Sequence, residues 1–217
     1  TPSQQLAAIH QAVAEIEQAQ QDGWRELRGL LADKGIVILG EREALSPARE
    51  RWLGDYFDEY ILPIITPQAI DPAHPFPFIA NQGMGVLFAL SRVADDAPVM
   101  EMVLIPSALP RFIRLPGEEP AYIAVEDLLW RNADTLFPGF RVHGHGVFRV
   151  LRDSDIEIEE DAEDLVRYYR TAIQRRRRGM VILLQLQGAF DPAAESLLRE
   201  QLGLDNALVI KTDGLIG

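Results

Sequence analysis

The chain contains no cysteine. That excludes a disulfide framework, a thiolate zinc site and a cysteine nucleophile, and it fits a reducing compartment such as the cytoplasm. Apolar runs such as Val181 to Leu184 fall far below the roughly 20 residues a membrane-spanning helix needs. No secretory pattern opens the chain, and a start at Thr1 rather than Met leads us to expect a piece cut from a longer protein. Positive charge is scarce, with 21 Lys and Arg against 33 Asp and Glu and a formal net charge of -12. General affinity for nucleic acid is therefore not expected, because phosphate backbones are held by an excess of cations that release counterions. The chain also lacks a GxxxxGKS/T loop, a GxGxxG turn after a strand, a GxSxG elbow and an HExxH helix, each of which would have carried a definite chemistry.

What remains is ordinary globular material: 217 residues, 47% hydrophobic and 25% charged, enough for one large domain or two small ones. Leu6, Ile9, Val13, Ile16, Trp24, Leu27 and Leu31 recur at helical spacing, with Ser3 as a candidate cap and Gly35 placed to end the helix. A short apolar run, Ile36 to Leu39, follows. Ser46 and Pro47 start a second helix whose buried stripe runs from Trp52 to Ile61, and Pro63 stops it. Residues 1–64 thus read as helical with one extended connection.

The stretch "IDPAHPFPFIANQ", residues 70–82, is too rich in proline for a regular helix or a central strand and reads as a stiff domain joint. Beyond it the period becomes that of strands. Met84 to Val93 and Val99 to Ile105 form a hairpin, and Arg111 to Leu115 and Tyr122 to Val125 are shorter extended segments. Glu126 to Phe137 is expected as one helix. Arg141 to Arg152 is extended, Asp161 to Arg177 helical, Met180 to Gln187 a strand, Asp191 to Leu202 a helix ended by Gly203, and Val209 to Lys211 a last strand. The fold class is α+β, a helical segment followed by a mixed-sheet α/β domain.

Candidate sites are few. His74 stands between prolines with no second ligand or nucleophile beside it, so a structural role is preferred. His143 and His145 share a strand face, yet a metal needs three or four ligands, and their flanking glycines mark a bulge more simply. Arg175, Arg176, Arg177 and Arg178 end the predicted helix where its dipole favours cations. They are also candidate contacts for a polyphosphate or a partner, since guanidinium forks match phosphate oxygens. Arg149 and Arg152 join that set, although three residues apart on a strand they face opposite sides. The Tyr56/Tyr60 and Tyr168/Tyr169 pairs suit packing better than base stacking. No catalytic, cofactor-binding or metal residue is assigned.

The order of "ILPIITPQAIDPAHPFPFIAN", "LIPSALPRFIRLPG", "FRVLRDSDIEIEEDAEDLV", an arginine-rich helix end, a strand and "DGLIG" resembles the polyphosphate kinase family over essentially the whole chain. The resemblance implies that residues 1–64 are the later helices of the family's N-terminal domain and residues 65–217 its head, or middle, domain. His74 resembles the histidine of the linker motif and not the one that carries phosphate. The family enzyme moves the terminal phosphate of ATP to and from polyphosphate through a phosphohistidine, assisted by magnesium. The resemblance places that machinery in C-terminal domains not expected in this chain, and the family's first N-terminal helix, which helps to hold nucleotide, is likewise expected to be missing. It further implies a cytoplasmic protein, or one associated with the membrane through the longer enzyme, that forms a homodimer through the head. The competing reading is a freestanding polyanion-binding or protein-interaction module that keeps the head fold without the chemistry.

Overall fold

A computed structural model describes residues 1–41, 43–71, 75–153, 179–188, 190, 192–204 and 208–216. Helix α1, Pro2–Asp33, is capped by Thr1, two residues before the expected Ser3. It ends in a Schellman motif: Gly35, at φ 77°, donates to the Ala32 carbonyl and Ile36 to that of Leu31. The left-handed residue at this place is one that glycine adopts without steric cost. Strand β1, Val37–Leu39, leads to α2, Pro47–Tyr56, where the Ser46 hydroxyl accepts from the Arg49 amide. The helix then widens into a π-turn, Phe57–Ile61, and tightens to a 3-10 turn, Leu62–Ile64. Pro63 is the cause, since its ring cannot follow four residues behind an α-helical carbonyl.

Just before the proline-rich stretch lies a strand that the sequence did not announce: β2, Pro67–Ala69, pairs antiparallel with β4, Pro98–Ile105, at the edge of the main sheet. An edge is where proline is tolerated in a sheet. Strands β3 (Met84–Arg92) and β4 (Pro98–Ile105) form the expected hairpin, with Asp96 at φ 56° and accepting from the Ser91 hydroxyl. Strands β5 (Phe112–Arg114) and β6 (Ala121–Ala124) pair antiparallel, and β1 joins β6 in parallel to complete a three-stranded sheet in the order β1-β6-β5. The single helix expected over Glu126 to Phe137 is two, α3 (Val125–Arg131) and α4 (Ala133–Leu136). They part at Asn132, whose backbone leaves the helical region at φ -107° and ψ 22°; its backbone amide and its side-chain amide both donate to the Leu128 carbonyl, at 3.2 and 2.9 Å.

Strand β7 (Phe140–Arg152), β8 (Val181–Gln187), helix α5 (Pro192–Leu202) and β9 (Leu208–Thr212) complete the chain. The main sheet is six-stranded in the order β2-β4-β3-β7-β8-β9, antiparallel except for the β8–β9 pair. Helix α5 also closes in a Schellman motif at Gly203, whose φ is 64°.

Both faces of this sheet are covered. Val86, Phe88, Leu90, Val103 and Val147 meet α2, α3, α4 and the small sheet in one buried cluster that includes Phe57 and Ile61. Leu87, Met102, Phe148, Val150, Leu184 and Leu186 meet Ala194 and Leu198 of α5, together with Ile79, in a second. Burial on both faces explains why β3 reads as a continuous apolar run rather than as an alternation.

Packing around β3 leaves no room at Gly85. A Cβ there would stand 2.7 Å from Phe148 Cζ and 2.9 Å from the Val103 carbonyl oxygen. Gly85→Ala is expected to destabilise the protein by about 1–3 kcal/mol through overpacking, read as a lower urea midpoint with an unchanged m-value.

Candidate functional site

The arginines singled out by sequence are not brought into one site. Arg149 faces the α1 side of the sheet, its Nη1 3.5 Å from Gln185 Oε1, and Gln185 in turn donates to Glu17 of α1 at 2.7 Å. Arg152 lies on the other face and acts as a pin. Its Nε donates to the Ile79 carbonyl at 2.8 Å and its Nη1 to that of Gly179 at 2.7 Å, its amide donates to Asn81 Oδ1, and its guanidinium lies 5.0 Å from the Phe78 ring centroid. Partial burial draws the pKa of Arg152 below the usual guanidinium value. The same corner joins the end of β7 to the start of β8: the Asp153 amide donates to the Met180 carbonyl. Gly179 is obligatory there, because a Cβ would fall 1.9 Å from the Asp153 carbonyl oxygen. Arg175 to Arg178, Tyr168, Tyr169 and His74 lie outside the described residues, as does the helix expected over Asp161 to Arg177.

The two strand histidines are placed where the sequence suggested an irregularity. The β3–β7 register shifts between Ala89 and Leu90, leaving His143 as the extra residue of a bulge. His143 Nε2 is 2.7 Å from the Ser91 hydroxyl, while the His145 ring stacks on Trp130 with centroids 4.2 Å apart. Both line a cavity of about 240 Å³ with Met100, Phe190 and Ala194. Among the described residues no group of three or more histidine, aspartate or glutamate side chains is disposed to hold a metal ion. Tyr56 and Tyr60 continue a ring ladder from Trp52, with spacings of 5.2 and 5.1 Å, and Tyr56 packs against the core.

The most unusual electrostatics belong to a pair the sequence reading passed over. Glu126 and Asp127 look like acidic residues in the first turn of a helix, which its dipole favours on any solvent-facing surface. Here both are buried, at 0% and 7% exposure. Glu126 Oε1 accepts from Arg111 Nε at 3.0 Å and Nη2 at 2.6 Å, while its buried Oε2 has no hydrogen-bond partner among the described residues. Arg131 lies alongside and donates to the Gly40 and Glu43 carbonyls. Burial, reinforced by the neighbouring Glu126 and Glu41 carboxylates, pushes the Asp127 carboxyl up to about 7, against the weaker pull of Arg131 and Arg111. No periodicity carries this signal, because the burial comes from α1 and from the segment after β9.

These features define an α+β fold of two sheets with helices on both faces of the larger one. The family described as polyphosphate kinase middle domain matches residues 48–217, and the chain belongs to the polyphosphate kinase family. It is 56% identical over its whole length to a protein named polyphosphate kinase from Erythrobacter litoralis, and 32% identical over 99% of its length to one from Thermosynechococcus vestitus. The chain spans 30% of the length of each. The crystal structure of polyphosphate kinase from Porphyromonas gingivalis shares the fold, with a TM-score of 0.74 over 96% of this chain and 31% of that one at 20% identity.

Asp127 sets a pH dependence. Its folded-state pKa of about 7 stands above the ordinary carboxyl value, so the folded protein holds that proton more tightly than the unfolded chain does. The resulting stability is present below about pH 4 and is lost as pH rises through 7, by on the order of 1.4 kcal/mol per unit of displacement. Urea denaturation from pH 5 to 8 is expected to show this decline in the wild type and a flatter profile in Asp127→Asn, which is the more stable of the two at pH 8.

Proposed function

We propose that this chain is the non-catalytic helical and head portion of a polyphosphate kinase. The longer enzyme transfers the terminal phosphate of ATP reversibly to inorganic polyphosphate through a phosphohistidine, with magnesium assisting. This portion supplies architecture and a dimerisation surface. The carrying observation is the family match over residues 48–217, joined to 56% identity along the whole chain with a protein three times as long that bears that name. Residues 1–64 belong in this reading to the helical domain and residues 65–217 to the head, with Phe57 and Ile61 docked on the core that β3 organises.

A phosphoenzyme needs a positioned nucleophile and a stabilised phosphate charge. In this reading the phosphohistidine and the groups that stabilise the transferred phosphate belong to the rest of the longer enzyme, and no step of the transfer is assigned to residues of this chain. Arg149, Arg152 and Arg175 to Arg178 are proposed as contacts to polyphosphate or to a partner. Arg152 serves in that way only through whatever its guanidinium leaves free beyond the Ile79 and Gly179 carbonyls. Among the described residues no helix is long and apolar enough to cross a membrane.

Incubated with radiolabelled ATP and magnesium, the 217-residue chain is expected to form no polyphosphate and no acid-labile phosphate on His10, His74, His143 or His145, and to sediment as a dimer. Turnover by this chain alone would refute the division of labour, and a strict monomer at high concentration would refute the dimer. Retained polyphosphate binding after Arg175 to Arg178 are replaced by alanine would remove those four from the reading.

A further inference from the structure

Between α1, the β1–α2 loop, α3 and the segment after β9 lies a cavity of about 140 Å³. Three carboxylate residues line it, each from a different element: Glu41, Asp127 and Asp213. Trp24, Leu39 and Leu215 give it an apolar wall, and Gln187 and the backbone of Gly40 and Gly214 complete it. Asp127 is 93% buried by area, being 7% exposed. Only charges at a distance and burial act on its carboxyl, with no hydrogen-bond donor among the described residues contributing. An ionisable side chain sunk this far without a donor is costly unless something pairs with it.

Among the described residues, the cations nearby are engaged elsewhere. Arg28, which also lines the cavity, donates to the Ile38 carbonyl and pairs with Glu43. Arg111 is held by Glu126, and Arg131 is turned to the Gly40 and Glu43 carbonyls. An anion would be repelled, and a neutral ligand would bring no charge to pair with buried Asp127. A divalent metal would need three or more donors at roughly 2.0–2.6 Å, and among the described residues no such group exists. An alkylammonium suits the lining. Its three N–H donors diverge to reach separate acceptors, and a short methylene stem lies well on Trp24, Leu39 and Leu215, as lysine stems do on apolar surface.

We propose that this cavity binds a primary ammonium carried on a short aliphatic stem, either a free diamine or a lysine side chain. The site is independent of the phosphotransfer reading and stands or falls separately. Because the ligand pairs with the ionised form of Asp127, binding releases a proton and weakens as pH falls.

Isothermal titration of the 217-residue chain with 1,4-diaminobutane tests this at pH 8 and pH 6, in two buffers of different ionisation heat. We expect a one-site isotherm at pH 8, about tenfold weaker binding at pH 6, and a buffer-dependent heat that reports the released proton. Asp127→Asn and Asp213→Asn should each weaken binding at least tenfold, while Glu50→Gln on α2 leaves it unchanged. Asp127→Asn removes a buried charge and is expected to stay folded at pH 8, which circular dichroism verifies. Repeating the titration with Nα-acetyl-lysine methylamide separates the sources: tighter binding of the lysine derivative assigns the cavity to a side chain, tighter binding of the diamine to a free amine. No saturable heat with either compound at pH 8, or an unchanged isotherm in folded Asp127→Asn, would overturn the proposal.

Discussion

Burial of strand β3 on both faces is the constraint from which the rest of the architecture follows. Val86, Phe88 and Leu90 must be covered on one side and Leu87 on the other, and a single layer of helices cannot do both. The chain supplies α2, α3, α4 and a small second sheet for one face, and α5 with Ile79 of the proline-rich segment for the other. Each Val or Phe so enclosed contributes roughly 1.5–3 kcal/mol of hydrophobic stabilisation. The tight fits at Gly85 against Phe148, and at Gly146 against Phe190, are the local cost of bringing those layers close.

This enclosure also sets the electrostatics. A net charge of -12 keeps most carboxylates at the surface, yet covering β6 and α3 with α1 and the segment after β9 takes Glu126 and Asp127 out of water. The two are treated differently. Glu126 has Arg111 as a two-fold donor, while Asp127 has only distant charges and is pushed towards neutrality. Arg152 shows a third arrangement, a cation held by carbonyls that joins the Ile79 segment to the corner where β7 and β8 meet. Glu126 and Arg152 thus hold elements together, in keeping with the architectural role proposed for the chain.

Much of the fold was legible because its signals are local. The glycines at 35 and 203, the Ser46–Pro47 start of α2, and the apolar runs of β3, β4, β7 and β8 each report a conformation that neighbouring residues decide. Elements decided by distant partners were not legible. Strand β2 exists only because β4 offers it an edge, and the break between α3 and α4 lies in the backbone angles of the single residue Asn132. The opposite orientation of Arg149 and Arg152 followed from strand periodicity, but not what each would bind. Nothing in the order "AVEDLLW" distinguishes an exposed first turn from a buried one, so the acidic cavity could be found only after α1 and the segment after β9 had been placed over it.

The claim on which all of this rests is that one core, organised by β3, ties the helices after residue 47 to the sheet. Native-state hydrogen exchange on the 217-residue chain tests it most directly. If the claim holds, the amides of Phe57 in the helical turn and Phe88 in β3 open with the same free energy and the same denaturant dependence, as parts of one cooperative unit. If Phe57 instead exchanges through a separate, lower-energy opening while Phe88 stays protected, the helices are a detachable layer and the account is contradicted.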